Sequence, residues 1–289
     1  MSCIRSILVS KHTDFILTPI TTILEEAVAA TNSIGDGIET YPLCDYILQA
    51  TFLKMTGFQE QKMKCIAWEL GTNDFEFRYW WLEKANLGTY SAYDQKNSIY
   101  KEFCQVLKRI NIDFGINEIN KQILLENTTQ KIDEIFKDSN LISWVRADFS
   151  YFVSDDWIDT DQFLKDEKNM FVSMPNENNR PKKPEKKEGD SEQGYEDKLR
   201  DYNKKYTIYI KNIEHNLKCK YENMYNQRNR LAHNTLSYQQ NLPTLTKLVN
   251  ETQASRNYFI WFGLLTLIDN IFIELYQLYQ DGLEDKLDY

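Results

Sequence analysis

The sequence predicts an all-α protein: a helical bundle with one long motif helix, a strongly apolar C-terminal helix and a disordered polar insertion. Three observations predict it. Apolar residues recur at three- and four-residue intervals along most of the chain, the spacing that gathers them on one helical face. Ten Gly and six Pro among 289 residues are too few for the many turns of a β fold. A hydrophobic content of 42% fills a real core at this length, so one domain is expected over 1–289.

Within that domain, 1–45 reads as a helical N-terminal extension, because "TPITTILEEAVAATNSI" sets a Pro near a helix start ahead of good helix formers. From Tyr46 onward, Leu48, Phe52, Met55, Met63, Ile66, Leu70, Phe77 and Trp80 mark one face of a long core helix, with breaks expected near Gly57 or Gly71. Residues 96–112 and 117–138 give two more helices. "SNLISWVRADFSYF" fits either a helical continuation or an extended segment. In "SDDWIDTDQFLKDEKNMF", four aspartates within seven residues raise a divalent cation, but the Gly and final Glu of a calcium loop are missing. A short helix starting near Asp159 to Asp161 accounts for the same residues, so no metal is assigned.

Residues 175–197, "PNENNRPKKPEKKEGDSEQGYED", almost lack apolar side chains and cannot offset ordering entropy by burial. They are expected to be a flexible insertion. Residues 200–280 then hold the motif helix, predicted unbroken from about Glu196 to His233, and the C-terminal helix.

The formal charge of −9 repels phosphate backbones, so any nucleic-acid contact must come from a local basic cluster. Five cysteines at wide spacings, with no CxxC pair, read as reduced thiols of a cytoplasmic protein. No secretory leader is recognised at the N-terminus. "YFIWFGLLTLIDNIFIELY", residues 258 to 276, is the one membrane-like stretch. Asp269 near its centre would cost roughly 2.5–3.5 kcal/mol in a bilayer. A helix buried between other helices, or across a subunit interface, is the expectation, with no membrane partner.

Two stripes run along the motif helix. Tyr206, Ile210, Ile213, Leu217, Tyr221 and Met224 form an apolar face, and the next step of four lands on Arg228. Lys211, His215, Lys218, Glu222, Asn226, Asn229 and His233 form a polar face. Arg is rarely buried without a partner or a task. A guanidinium that snorkels at a helix end and pairs with a carboxylate is one account; an anion-binding group is the other. On a regular helix Arg228 and His233 lie about 140° apart, so they meet if the helix ends between them or if each comes from a different subunit. His215, five turns before His233 on an unbroken helix, is roughly 27 Å away.

The stretch "RNRLAHN", with Asn229 directly after Arg228 and Ala232 before His233, resembles the Arg-polar-x3-His signature of the HEPN superfamily (higher eukaryotes and prokaryotes nucleotide-binding domains). The resemblance covers roughly residues 200 to 280, a motif helix followed by an apolar helix. It implies a metal-independent endoribonuclease with no cofactor, of the prokaryotic toxin or anti-phage defence kind. It also implies a homodimer, because this chain holds one motif and the family's site is shared between two. RNA would be the substrate and an antitoxin or regulatory protein a further partner.

In those terms Arg228, Asn229 and His233 are the catalytic residues. His233 can move a proton at neutral pH, Arg228 can hold the phosphate bidentately, and Asn229 can orient His233 or bond the substrate. Attack by the ribose 2′-OH would leave 2′,3′-cyclic phosphate and 5′-OH ends. Arg230, Lys218 and Lys211, with Lys220, are candidates for substrate binding. Glu69 and Asn73 are candidates to support the site from the early helix. The aromatic run "FRYWW", 77 to 81, offers either base stacking or core packing. A non-catalytic helical module that binds a partner protein or a nucleotide is the alternative.

Overall fold

The computed structural model describes residues 11–84, 90–111, 114–115, 119–165, 169–171, 180–184, 192–233 and 257–287. The described residues are helical with no strand, as the apolar spacing predicts. In chain order the α-helices are α1 (Lys11–Leu17), α2 (Thr22–Ala30), α3 (Tyr41–Asn73), α4 (Phe75–Lys84), α5 (Tyr93–Ile110), α6 (Lys121–Phe136), α7 (Arg146–Val153), α8 (Thr160–Lys165), α9 (Glu192–Glu214), α10 (Leu217–His233) and α11 (Tyr258–Leu287).

Helix α11 is the axis of the bundle. It packs against α3, α5 and α6, and more lightly on α1, α7 and α10. Phe259, Phe262, Leu265, Ile268, Phe272 and Leu275 are buried along it, each worth about 1.5–3 kcal/mol when removed from water. Gly263 lets α7 come close, since a Cβ there would stand 2.5 Å from the Phe152 ring. The helix is long and apolar enough to cross a membrane by composition. Most of its apolar surface is covered by its own chain, as the central helix of the bundle.

Helix α3 runs through Gly57 and Gly71 without a break. It stops at Asp74, whose backbone turns extended and whose carboxylate accepts from the Phe77 N–H at 2.7 Å to start α4. The same carboxylate takes two hydrogen bonds from Arg109 of α5, at 3.0 and 2.8 Å. Gly71 sits against Trp81, where a Cβ would meet the indole at 2.9 Å. Close packing explains this glycine better than a helix break does.

The N-terminal helices form part of the core. Ile16, Ile20, Ile23 and Leu24 are buried against α3, α6 and α11. At the α1–α2 turn, Lys62 of α3 donates to the Thr18 carbonyl at 2.6 Å and pairs with Asp269 of α11 at 2.7 Å. Asp269 also accepts from the Ile20 N–H at 2.8 Å. Burial pushes the Lys62 ammonium down and the Asp269 carboxyl up, and each charge opposes the shift of the other.

The motif helix is two helices. Asn216 is buried, and its Oδ1 accepts from the Cys219 N–H at 3.1 Å. That side chain caps α10 afresh, in competition with the backbone ladder of a continuous helix. Of the 175–197 insertion, residues 192–197 already belong to α9. The Arg180 guanidinium lies over the Tyr206 ring at 5.9 Å. Residues 175–179 and 185–191 lie outside the described residues. "SNLISWVRADFSYF" folds as a single 3-10 turn, Asn140–Ile142, and then α7.

Candidate functional site

The apolar stripe of α10 is real. Leu217, Tyr221 and Met224 are buried, and Arg228 follows at the next step, half-buried with a quarter of its side chain exposed. Its neighbours come from α3, α5 and α11, the helices on which α10 rests. Together they enclose a recess of about 10 Å³, room for about one water. Gln59, Ser91, Lys96, Tyr221, Arg228 and Leu265 are among its walls.

Arg228 is loosely held. Its Nη1 donates to Asn229 Oδ1 at 3.1 Å, and its Nη2 stands 3.8 Å from Glu60 Oε2, beyond hydrogen-bond length. Glu60 itself is firmly anchored, by Lys64 Nζ at 3.0 Å and by the Ser91 hydroxyl. Burial would raise its carboxyl pKa. The hydrogen bonds from Ser91 and Lys64, with the charges of Lys64 and Arg228, outweigh burial and hold it below the usual range. Tyr221 donates to the Ser91 carbonyl at 2.7 Å, which ties α10 to the segment before α5.

Lys96 of α5 closes the inner end of the recess. It is 2% exposed, donates to the Tyr90 carbonyl at 2.6 Å and lies 5.7 Å from the centre of the Tyr221 ring. Burial pulls its ammonium down to about 7, with Glu60 opposing and Arg228 adding to the shift. Gln59 spends its amide N–H on the Leu265 carbonyl at 2.8 Å, and its Oε1 has no partner among the described residues; the residue lines the recess. Lys64 and Arg228 stand 3.0 and 3.8 Å from the one carboxylate, and its charge also acts on Lys96.

The residues singled out in the sequence divide. Arg228 and Asn229 are in direct contact, so Asn229 serves the arginine first. His233 is the last residue of α10; its side chain lies outside the described residues, as does that of Lys211. Arg230 is exposed. Lys218 pairs with Asp94 at 2.9 Å and Glu222 at 3.7 Å, and lies over the Tyr93 ring.

Glu69 binds His12 at 2.9 Å, and Asn73 donates to the Glu69 carbonyl at 3.1 Å. Glu60 is the α3 carboxylate beside Arg228. Nine residues, two and a half turns, separate it from Glu69, which puts the two carboxylates on opposite faces and about 13 Å apart along the helix axis.

The aromatic run is mostly structural. Phe77 is buried and Trp81 donates to the Tyr90 hydroxyl at 2.7 Å, whereas Tyr79 faces outward. The aspartates at 155–161 border a recess of about 420 Å³ with His215, and Asp155 accepts from Thr129 at 3.1 Å. Among the described residues no group of three or more His, Cys, Asp or Glu comes together as a set of metal ligands.

A motif reading passes over Lys96, yet the sequence marks it. Tyr93, Lys96, Tyr100, Phe103 and Leu107 step by three and four, and the other four are buried. Lys96 is therefore a charge on a core stripe, the same signal that singles out Arg228.

No protein-family model, no curated protein and no solved structure matches the chain.

Proposed function

We propose that this protein is a HEPN-type, metal-independent endoribonuclease that acts as a homodimer in the cytoplasm, as a prokaryotic toxin or anti-phage defence effector. The observation that supports it most is Arg228. A half-buried guanidinium has five N–H donors, and among the described residues only one hydrogen bond, to Asn229, engages them. Such a group suits two oxygens of a phosphate.

His233 lies five residues further along the same helix, and a second copy supplies the second histidine. One imidazole takes the proton of the ribose 2′-OH as O2′ attacks phosphorus. The P–O5′ bond breaks, and the other imidazolium returns a proton to the leaving 5′-oxygen. Arg228 neutralises the charge that builds on the phosphate in between. The ends left are a 2′,3′-cyclic phosphate and a 5′-OH. With Lys218 engaged, Arg228 and Arg230 carry the local attraction for RNA, on a surface that otherwise repels it.

Purified protein incubated with total RNA tests this. His233→Ala should cut about 10²- to 10⁴-fold more slowly, and the wild-type products should carry cyclic phosphate ends. Equal cleavage by the variant, or RNA left intact by the wild type, overturns the reading.

A second reading, a non-catalytic module that docks a partner protein, draws on one observation. Phe75, Tyr79 and Leu82 share a face of α4 and are 74%, 54% and 61% exposed, which is unusual for large apolar side chains in a row. Mutating that face should leave RNA cleavage intact if the first reading holds.

A further inference from the structure

Two cations face the one carboxylate that borders Arg228. Lys96 and Arg228 line the same recess, and Glu60 pairs with Lys64 at 3.0 Å and stands 3.8 Å from Arg228, close enough for its charge to act on Lys96. Every element around Lys96 has a part. Helix α3 presents Glu60 and Lys64, the segment before α5 presents the Tyr90 carbonyl and Ser91, α10 presents Tyr221, Tyr225 and Arg228, and α11 presents apolar Leu265. Glu60 is the only anion in this set. Among the described residues, a proton on Lys96 therefore changes the charge of the recess with Glu60 as the one anion acting on it.

We propose that Lys96 is a positioning residue whose protonation sets how Arg228 is shared between Glu60 and a bound phosphate. With Lys96 protonated, Glu60 is drawn inward by a third cation and Arg228 is repelled toward the mouth of the recess, where it meets an anion. With Lys96 neutral, Glu60 holds Arg228 and the recess loses a positive charge. Both effects have one sign: phosphate binding strengthens as the pH falls through neutrality. Glu60 stays ionised across this range, because its own carboxyl is held below the usual value. The burial of Lys96 beside Arg228 brings its titration to about 7, where a small change of pH has the most effect.

Gln59, whose Oε1 has no partner among the described residues, lines the same recess and gives it an acceptor for the ammonium or for a water bridging to it. Protonation then has a place to be accommodated without moving α5. Lys96 does not touch substrate, since the recess in front of it has room for only about one water. Its influence passes through Glu60 and Arg228.

This inference rests on Arg228 as the phosphate-binding group, so the test measures binding and not cleavage. The probe is a short 2′-O-methyl RNA oligonucleotide, which has no 2′-OH to attack. Its affinity for the full-length protein is compared at about pH 8 and about pH 6, in a His233→Gln background that removes the motif's own titrating group. The expected result is roughly tenfold tighter binding at the lower pH, the effect of one charge within a few ångströms at a partly buried site. Lys96→Met should bind at the weak level with most of that step gone, and Lys96→Arg at the tight level at both pH values.

A step of the same size in Lys96→Met overturns the proposal. So does a Lys96 side-chain resonance, assigned in ¹³C-lysine-labelled protein by its loss in Lys96→Met, that titrates near the ordinary lysine value. So does an Arg228→Ala protein that binds the oligonucleotide as well as the parent. The ribonuclease reading fails separately, if RNA is never cut. A pH step at Lys96 without cleavage keeps the positioning role and removes the nuclease.

Discussion

Two charged clusters lie on opposite sides of the same turn of α3. On one side Lys62 meets Asp269 with both side chains fully buried, at 2.7 Å, and the Thr18 carbonyl and Ile20 N–H take up further valences. On the other side, two residues earlier and about 200° around the helix, Glu60 faces Arg228 at 3.8 Å with both partly exposed. The first cluster is balanced, one cation to one anion. The second has three cations to one carboxylate and an arginine with donors to spare. A matched buried pair fixes how elements meet, whereas an unmatched cluster at the edge of solvent has capacity left for a ligand.

The contrast is broken most directly at Asp269. Asp269→Asn leaves the Lys62 ammonium buried without its counter-charge and should cost about 3–5 kcal/mol in urea unfolding. The double change Lys62→Met with Asp269→Leu should recover most of that loss. A cost below about 1 kcal/mol for the single variant would put the two clusters in one class.

Arg228→Ala should do the reverse. Stability should stay within about 1 kcal/mol, because a partly exposed pair at this distance contributes little. RNA cleavage should fall about 10²- to 10³-fold, the loss expected when a donor to developing charge is removed. An unfolded Arg228→Ala protein would move this arginine into the structural class with Lys62.

The smallest expected effect sharpens the comparison through pH. Lys96 is pulled below its ordinary value in the folded state by burial, to about 7. Below that pH it is protonated in both states and the folded form bears the whole cost of a buried charge. Between about 7 and the unfolded lysine value the unfolded chain binds more protons, so this residue makes stability rise with pH. Lys96→Met should be the more stable protein at about pH 6, by at least about 1 kcal/mol or ~2–4 °C in thermal melts, and should lose that upward slope. An unchanged slope would show that Lys96 does not titrate there.

Much of the architecture is legible in the linear pattern. The stripes of α3, α5 and α10 follow from residue spacing, because helical periodicity is local and burial only selects which face turns inward. The same rule exposes the exceptions: Arg228 and Lys96 each stand on a core stripe, and Asp269 stands inside an apolar run. The break at His215 and Asn216 is harder to see. No Gly or Pro marks it, and an Asn reads equally as a polar-face residue or as a cap until its burial is known. Glu69 and Asn73, expected to support the site, have partners that the sequence does not reveal. Both lie on the same helix as Glu60, but about two and a half and three and a half turns beyond it, where Glu69 meets His12 and Asn73 donates to the Glu69 carbonyl.

By itself the sequence determined the all-α class, the apolar axis at α11 and the oddity of Arg228, since each rests on the period of a helix and the cost of a misplaced charge. Only the tertiary structure decided the partners. Asp269 needed Lys62, some two hundred residues away, and Arg228 came to lie beside Glu60 and Lys96 through the packing of α10 on α3 and α5. The physical reason is range. Periodicity is written between residues three and four apart, while charge is matched through space, between faces that meet only when the bundle closes.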